Sequence, residues 1–356
     1  HGFARGLDVD GFLLSAIGLA GVVFGLVEGR TYGWLRPQRD LSLLGFTWHS
    51  SAPISAPAVA IGLGLLFLIL FVIWERHRAR VGRSALMDLR LFTVRSFSFG
   101  NVAALLIALG EFGLLFTLPL YLQNVLGLSP LSSGLVLAAM AAGAFLAGGA
   151  AGQLGRKVSP AAVASTGLAL EAAALMVLAL VVGASTPAWL IALVLVFYGA
   201  GLGLCSAQLT SVILGQVPSE LSGQGSALQS TMRQLGSALG AAVLGTILGT
   251  AVAARSGGSL TSVPGLPPQL RQELEGQLSP SAGVIIEQVR QGAIHLPPHT
   301  IDMVLTGLSQ TFAEGTRVTM LVGACFLAIG VVATLLLPRR LESSDVRPPS
   351  AQAGKT

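Results

Sequence analysis

The chain has 356 residues, 53% of them hydrophobic and only 10% charged, with a mean hydropathy of +0.75. That balance excludes a soluble globular domain and points to a polytopic membrane protein. The net charge of +5 does not indicate a nucleic-acid partner, because the basic residues stand in short clusters between apolar runs rather than over one soluble face.

Eight apolar runs are long enough, at about 1.5 Å per residue, to cross a hydrocarbon core of about 30 Å. In chain order they cover residues 11–27, 56–74, 97–122, 131–154, 160–182, 188–214, 225–252 and 318–337. The chain begins at His1, with no initiator Met and no signal-peptide layout before the first run, as expected of a piece of a longer protein. After the second run comes "ERHRARVGRSALMDLRLFTVR"; "GRK" follows the fourth, and "PRRLESSDVRPP" the last. If the spans alternate, these basic connectors share one face. The Lys/Arg bias makes that face cytoplasmic and both termini of the chain with it, Arg30, Arg36 and Arg39 being exceptions. Residues 253–317 are expected to form one long external connection whose amphipathic stretches, "HTIDMVLTGLSQTF" among them, lie as short helices over the outer mouth. It reads either as a surface loop or as a gate or substrate-contacting cap. Residues 338–356 read as a disordered tail.

The last six spans fall into two sets of three. "SPLSSG" and "SELSG" open the middle span of each set from opposite faces, the pattern of an inverted repeat. Cys205 and Cys325 lie inside spans, and the five histidines lie outside them without ligand spacing, so neither disulfides, a metal nor a cofactor is expected.

Several polar residues interrupt the spans. Glu111, in "LLIALGEFGLLFTLPLYL", sits midway along the third, where an acidic residue costs about 2.5 to 3.5 kcal/mol. A carboxyl in such surroundings favours its protonated form, so Glu111 reads as a proton or cation site, or else as a neutral acid bonded to a neighbouring helix. Glu171, in "TGLALEAAALMVL", is equally central in its own span and open to the same two readings. Gln208 either bonds across to another helix or contacts substrate. Ser226, Gln229, Arg233 and Ser237 form a polar stripe at helical spacing, and Arg233 either snorkels to the interface or pairs with a buried acid. Gly21, Gly25 and Gly29, Gly236 and Gly240, and Gly245 and Gly249 recur every four residues, the spacing of close helix packing. "YGAGLGL", Tyr198 to Leu204, reads as packing or as a flexible gate helix rather than a nucleotide loop, since no strand precedes it and it lies inside an apolar span. Pro119, with Gly110 and Gly113, allows the helix of Glu111 to bend, and Phe112 and Phe116 form either an aromatic wall or ordinary packing.

The phrases "DVDGFLLSAIGLAGVVFGLVEG", "MDLRLFTVRSFSFGN", "ALGEFGLLFTLPLYLQNVLGLSPLSSGL" and "SGQGSALQSTMRQLGSALGAAVLGT", in this order, resemble the fourteen-helix drug:proton antiporter branch (EmrB/QacA type) of the major facilitator superfamily. The resemblance implies two linking helices with a basic cytoplasmic loop in residues 1–96, and a six-helix C-terminal half in 97–337. It implies an N-terminal six-helix half as partner, supplied by the full-length protein. The helices of Glu111 and Gln208 would line the cavity, and that of Glu171 would support it from the periphery. In "GQLGRKVSP", Arg156 stands where the family has an Asp, so a latch built on that Asp is not expected, and Ala85 replaces the usual Pro. The function so implied is a bacterial inner-membrane transporter, not an enzyme, exporting lipophilic, often cationic drugs in exchange for protons. Glu111 and Glu171 are its proton-coupling candidates; Gln208, Gln229, Arg233, Phe112 and Phe116 are its substrate-path candidates. A same-fold transporter of a metabolite, and a truncated remnant or assembly partner that transports nothing, remain alternatives.

Overall fold

The computed structural model describes residues 8–43, 45–81 and 88–335. Ala85 and the tail 338–356 lie outside the described residues. Among these residues, eight helices are long and apolar enough to cross a membrane. They are α1 (Val9–Tyr32), α2 (Ala56–Arg80), α3 (Arg95–Leu120), α4 (Pro130–Lys157), α5 (Pro160–Val181), α6 (Ala188–Leu214), α7 (Ser222–Ser256) and α10 (Ile301–Leu335). Two short helices, α8 (Pro268–Leu278) and α9 (Val284–Arg290), stand between the last two. The fold is therefore the polytopic helical one that the hydropathy implies, all its spans being helices.

Local chemistry sets the helix starts. Ser55, Ser129 and Ser159 each accept a hydrogen bond from a first-turn N–H, and a proline follows within the first two positions of α2, α4 and α5. Asp8 caps α1 by accepting from the Gly11 N–H at 2.9 Å. It also accepts from the Trp74 indole N–H at 3.0 Å and lies 3.3 Å from the Arg78 guanidinium, which locks the start of α1 to the end of α2. Two features escape the sequence reading. Between α1 and α2 a small hairpin pairs β1 (Leu41–Leu43) with β2 (Phe46–Trp48), and α3 ends in a π-helical turn, Tyr121–Val125. That turn follows Pro119, whose missing N–H loosens the regular ladder.

The last six spans interlock as two sets, α3–α4–α5 and α6–α7–α10. Helix α3 packs on α7, α4 on α6, α5 on both α6 and α10, and α10 on α3. Exchanging the sets (α3 for α6, α4 for α7, α5 for α10) maps these pairings onto themselves, which is what an inverted repeat requires. Glycines allow the two tightest crossings. Gly236 and Gly240 of α7 lie against the Leu105 and Leu109 carbonyls of α3, and Gly199 and Gly203 of α6 against the Met140 and Ala144 carbonyls of α4. Gly21 and Gly25 do the same for α1 against α2. Gly249 instead meets the cap, where its carbonyl accepts from the Ser279 hydroxyl at 2.7 Å.

The long connection differs from expectation. Helix α7 runs on to Ser256 and α10 begins at Ile301, so "HTIDMVLTGLSQTF" is not a separate helix over the mouth but mostly the first turns of the last span. Val304, Leu308 and Phe312 are buried at helical spacing, continuous with the span that follows, and nothing after Pro298 breaks the helix. The residues left between, 257–300, fold into a cap with its own apolar contacts, including Leu274, Leu278, Ile286 and Val289. Arg290 bolts this cap to α3 by donating to the carbonyls of Asn124 and Val125 at 3.1 and 2.9 Å, while Asn124 donates to the Ala282 carbonyl at 3.1 Å. Tyr121 then ties the same turn to the end of α5 through a 2.6 Å bond to the Gly183 carbonyl.

Candidate functional site

Three ionisable side chains from three helices converge in the middle of the bundle. Gly110 and Gly113 let Leu327 of α10 and Leu244 of α7 press against the backbone of α3, which fixes the helix around Glu111. The Glu111 Oε2 lies 3.8 Å from Nη2 of Arg233 on α7. This is an ion pair without a hydrogen bond, and among the described residues that oxygen has no hydrogen-bond partner. Of the two fates open to Arg233, snorkelling or pairing, it takes the pair. The side chains are unequally open, 40% exposed for Arg233 and 14% for Glu111.

Glu171 of α5 lies behind this pair with no exposed surface, and neither carboxyl oxygen has a hydrogen-bond partner among the described residues. It feels the charges of both Glu111 and Arg233. Burying an ionised carboxylate without a partner costs several kcal/mol, so the neutral acid is the form that suits this place. Gly167 and Gly201 bring α5 and α6 together beside it. One turn earlier on α6, the buried hydroxyl of Tyr198 also lacks a hydrogen-bond partner among the described residues and lies within electrostatic reach of both carboxyls. From sequence, Tyr198 belongs only to a segment that reads as packing or a flexible gate helix. The available signal is the tyrosine hydroxyl in the otherwise apolar first half of its span, at helical spacing from the glycine that faces Glu171.

The remaining candidates divide. Gln208 donates from Nε2 to the Ala151 carbonyl of α4 at 2.9 Å, and Gln229 donates to the Thr210 hydroxyl of α6 at the same distance, so both knit helices together. Ser237 bonds back to the Arg233 carbonyl at 2.8 Å, within its own helix. Phe116 lines a cavity of about 530 Å³ at the cap end, with Thr31, Arg39, Ala241 and Ser279. Phe112 is exposed and does not line it, so the two rings do not form one wall there. Towards the other end of α7, a more apolar cavity of about 640 Å³ opens between α7 and the α1–α2 hairpin, lined by Phe12, Leu19, Phe71, Met232 and Leu235. Along α7, Arg233 is level with the near end of the apolar cavity, and neither cavity is lined by Arg233 or Glu111 themselves. Each is of a size that holds a drug-like molecule. Among the described residues no group of His, Cys, Asp and Glu could hold a metal ion.

Comparison with known proteins gives this arrangement a context. Residues 11–241 match the Major Facilitator Superfamily. The chain is similar to a tetracycline resistance determinant of Streptomyces rimosus, 30% identical over 67% of this chain and 62% of that protein. It is 27% identical to the multidrug resistance protein Stp of Mycobacterium tuberculosis, over 92% of this chain and 56% of that protein. The chain thus spans roughly three fifths of the length of these relatives. Among solved structures, a bacterial homolog of the human lysosomal transporter Spinster, inward-facing and occupied, covers 92% of this chain at 18% identity with a TM-score of 0.48.

Proposed function

This chain belongs to the Major Facilitator Superfamily, and from that premise we propose that it is the C-terminal portion of a proton-coupled exporter of lipophilic, drug-like molecules. Relatives named for tetracycline resistance, multidrug resistance and tetracenomycin C export support the substrate class. In this reading α1 and α2 are the linking pair of a fourteen-helix antiporter, α3 to α10 are its second half, and a six-helix N-terminal half completes the cavity. The membrane is the bacterial inner membrane, with the cap outside and both ends of this chain in the cytoplasm. By the span order, Arg76, Arg78, Arg80, Arg83, Arg90, Arg95, Arg156, Lys157, Arg339 and Arg340 fall on the side opposite the cap, against Arg30, Arg36, Arg39, Arg255, Arg271, Arg290 and Arg317 on the cap side, a majority that supports that orientation. On the cap side, Arg255 and Arg290 are partnered by Glu314 and Glu287.

One observation carries the proposal. A carboxyl and a guanidinium, Glu111 and Arg233, meet in mid-span across α3 and α7. Groups so costly to bury are kept inside a membrane where an ion or proton must be handled. Glu111 is the proton carrier of the account, and Glu171, buried behind it with Tyr198, is a second acid that the first can influence. Rocking of the two halves would expose the pair to each side in turn. The test is reconstitution of the full-length protein into liposomes with an imposed proton gradient, using ethidium as the transported probe. Glu111→Gln should reduce gradient-driven ethidium transport by at least about tenfold. Unchanged transport with unchanged pH dependence would overturn the role of Glu111.

A further inference from the structure

The central cluster sets one guanidinium against two carboxyls of very different accessibility. Glu171 is sealed behind the α5–α6 crossing with no exposed surface, whereas the Arg233 side chain is 40% exposed and that of Glu111 14%. What an incoming molecule meets is therefore the guanidinium first, and the carboxylate only behind it. The groups around Glu111 are few: Arg233 from α7, Glu171 from α5 and Tyr198 from α6, with Cys205 of α6 near Glu171 and Arg233. From α10, Leu327 packs at Gly110, and the charged residues of that helix, Asp302, Glu314 and Arg317, all belong to its cap end. No second cation among the described residues of these helices can replace Arg233, and sealed Glu171 cannot swing out to replace Glu111.

The charge at the open face then depends on one proton. With Glu111 ionised, the pair sums to zero. When a proton from the aqueous side binds the Glu111 carboxylate, the ion pair opens and no other bond changes. An unpaired guanidinium is left at the exposed position. We propose that the Glu111–Arg233 pair is a proton-operated charge selector in the substrate path, tolerating a lipophilic cation when Glu111 is ionised, and rejecting cations while accepting a lipophilic aromatic anion when it is protonated. The proposal rests on reading this bundle as a substrate path, and it assigns Arg233 a role in setting the sign of the substrate. It follows that a cationic compound is exchanged against a proton at this site, whereas an anionic one binds together with a proton. The same carrier would therefore couple to the gradient in opposite senses for substrates of opposite charge.

Equilibrium binding to the full-length protein in lipid nanodiscs tests this, with empty nanodiscs subtracted. The probes are ethidium, a permanent cation, and anilinonaphthalenesulfonate, a permanent anion. Between about pH 8 and about pH 5.5, wild-type protein should lose ethidium affinity and gain sulfonate affinity, each by about fivefold or more. Glu111→Gln should bind the sulfonate in the acid-like manner at both pH values, with ethidium weak throughout. Arg233→Gln should lose the acid-induced gain in sulfonate binding, and Arg233→Lys should restore it, a rescue that a purely structural arginine would not predict. Affinities that shift with pH in the same direction for both probes in the wild type would overturn the selector. So would a Glu111→Gln protein that keeps the opposed pH responses, a measurement that stands even if Arg233→Gln fails to fold. Because no gradient is applied, failure of proton-driven efflux and failure of charge selection are separate results.

Discussion

Gly201 of α6 stands so close to Glu171 of α5 that a β-carbon placed on it would lie 2.8 Å from the Glu171 Cγ and 2.7 Å from its backbone nitrogen. The buried acid thus owes its place to a missing side chain on the next helix, where Gly167 faces Gly201 from the other direction. Gly201→Ala should force the crossing apart and destabilise the protein by about 1 to 3 kcal/mol. Gly149→Ala, on a face of α4 where an added β-carbon meets nothing, is the matched control and should change stability little. Thermal unfolding in detergent, followed by size-exclusion, compares the two; equal shifts would contradict the tight crossing.

Among the described residues, Glu171 has a hydrogen-bond partner for neither of its oxygens, so its carboxyl should contribute little to folding. Replacement by an apolar side chain of similar volume, Glu171→Met, should leave thermal stability within about 1 kcal/mol of wild type or raise it. A loss of more than about 2 kcal/mol would mean that the carboxyl has a stabilising partner.

Arg290 is the main polar tie between the cap and the end of α3, donating to two carbonyls of the π-helical turn. In Arg290→Ala those carbonyls lose a charged donor, a change that costs about 1.5 to 3 kcal/mol. Hydrogen exchange should accelerate in residues 121–128 and in 282–292, while the buried centres of α5 and α6 stay protected. Uniform acceleration would mean that the cap is needed for the whole fold rather than for its own attachment.

Asp8 gives a pH dependence with a definite sign. Burial pushes its carboxyl up, but the Trp74 indole, the Gly11 N–H, the Glu75 side chain and the Arg78 guanidinium together outweigh this and hold it below the ordinary carboxylate value. A carboxyl lowered on folding stabilises the folded state fully above its unfolded value, and that contribution fades as the pH falls through the folded one. The stability gap between wild type and Asp8→Asn should therefore be constant near neutrality and close below about pH 4. A gap that widened on acidification would contradict the assignment.

How far the sequence carries the account depends on the range of the interaction. The spans are readable because each is a local run of apolar residues, and the starts of α2, α4 and α5 because Ser and Pro act within one turn. Close packing at Gly236 and Gly240 is readable for the same reason, since the spacing lies in one helix. Glu111 stands out because its cost in a membrane does not depend on its neighbours. That Arg233 pairs with a buried acid is one of the two readings its sequence allows, but which acid is not readable: Glu111 and Arg233 belong to α3 and α7, and only the crossing of these helices brings them together. The same holds for Gln208 and Gln229, whose amides are equally suited to a substrate and to the neighbouring helices they bond. The hairpin of β1 and β2 is too short for its alternation to register. The start of α10 is not readable either, because hydropathy marks where a helix enters the membrane, not where it begins.

The central claim is that protonation of Glu111 and passage of substrate are coupled, and coupling is reciprocal. The most direct measurement is proton movement driven by substrate. Liposomes containing the full-length protein and a pH-reporting dye, with no initial pH difference, receive an outward gradient of ethidium. Wild-type protein should bring protons in as ethidium leaves, at a rate that falls at least about tenfold in Glu111→Gln. Ethidium efflux without proton entry, or proton entry unchanged by Glu111→Gln, would contradict the account.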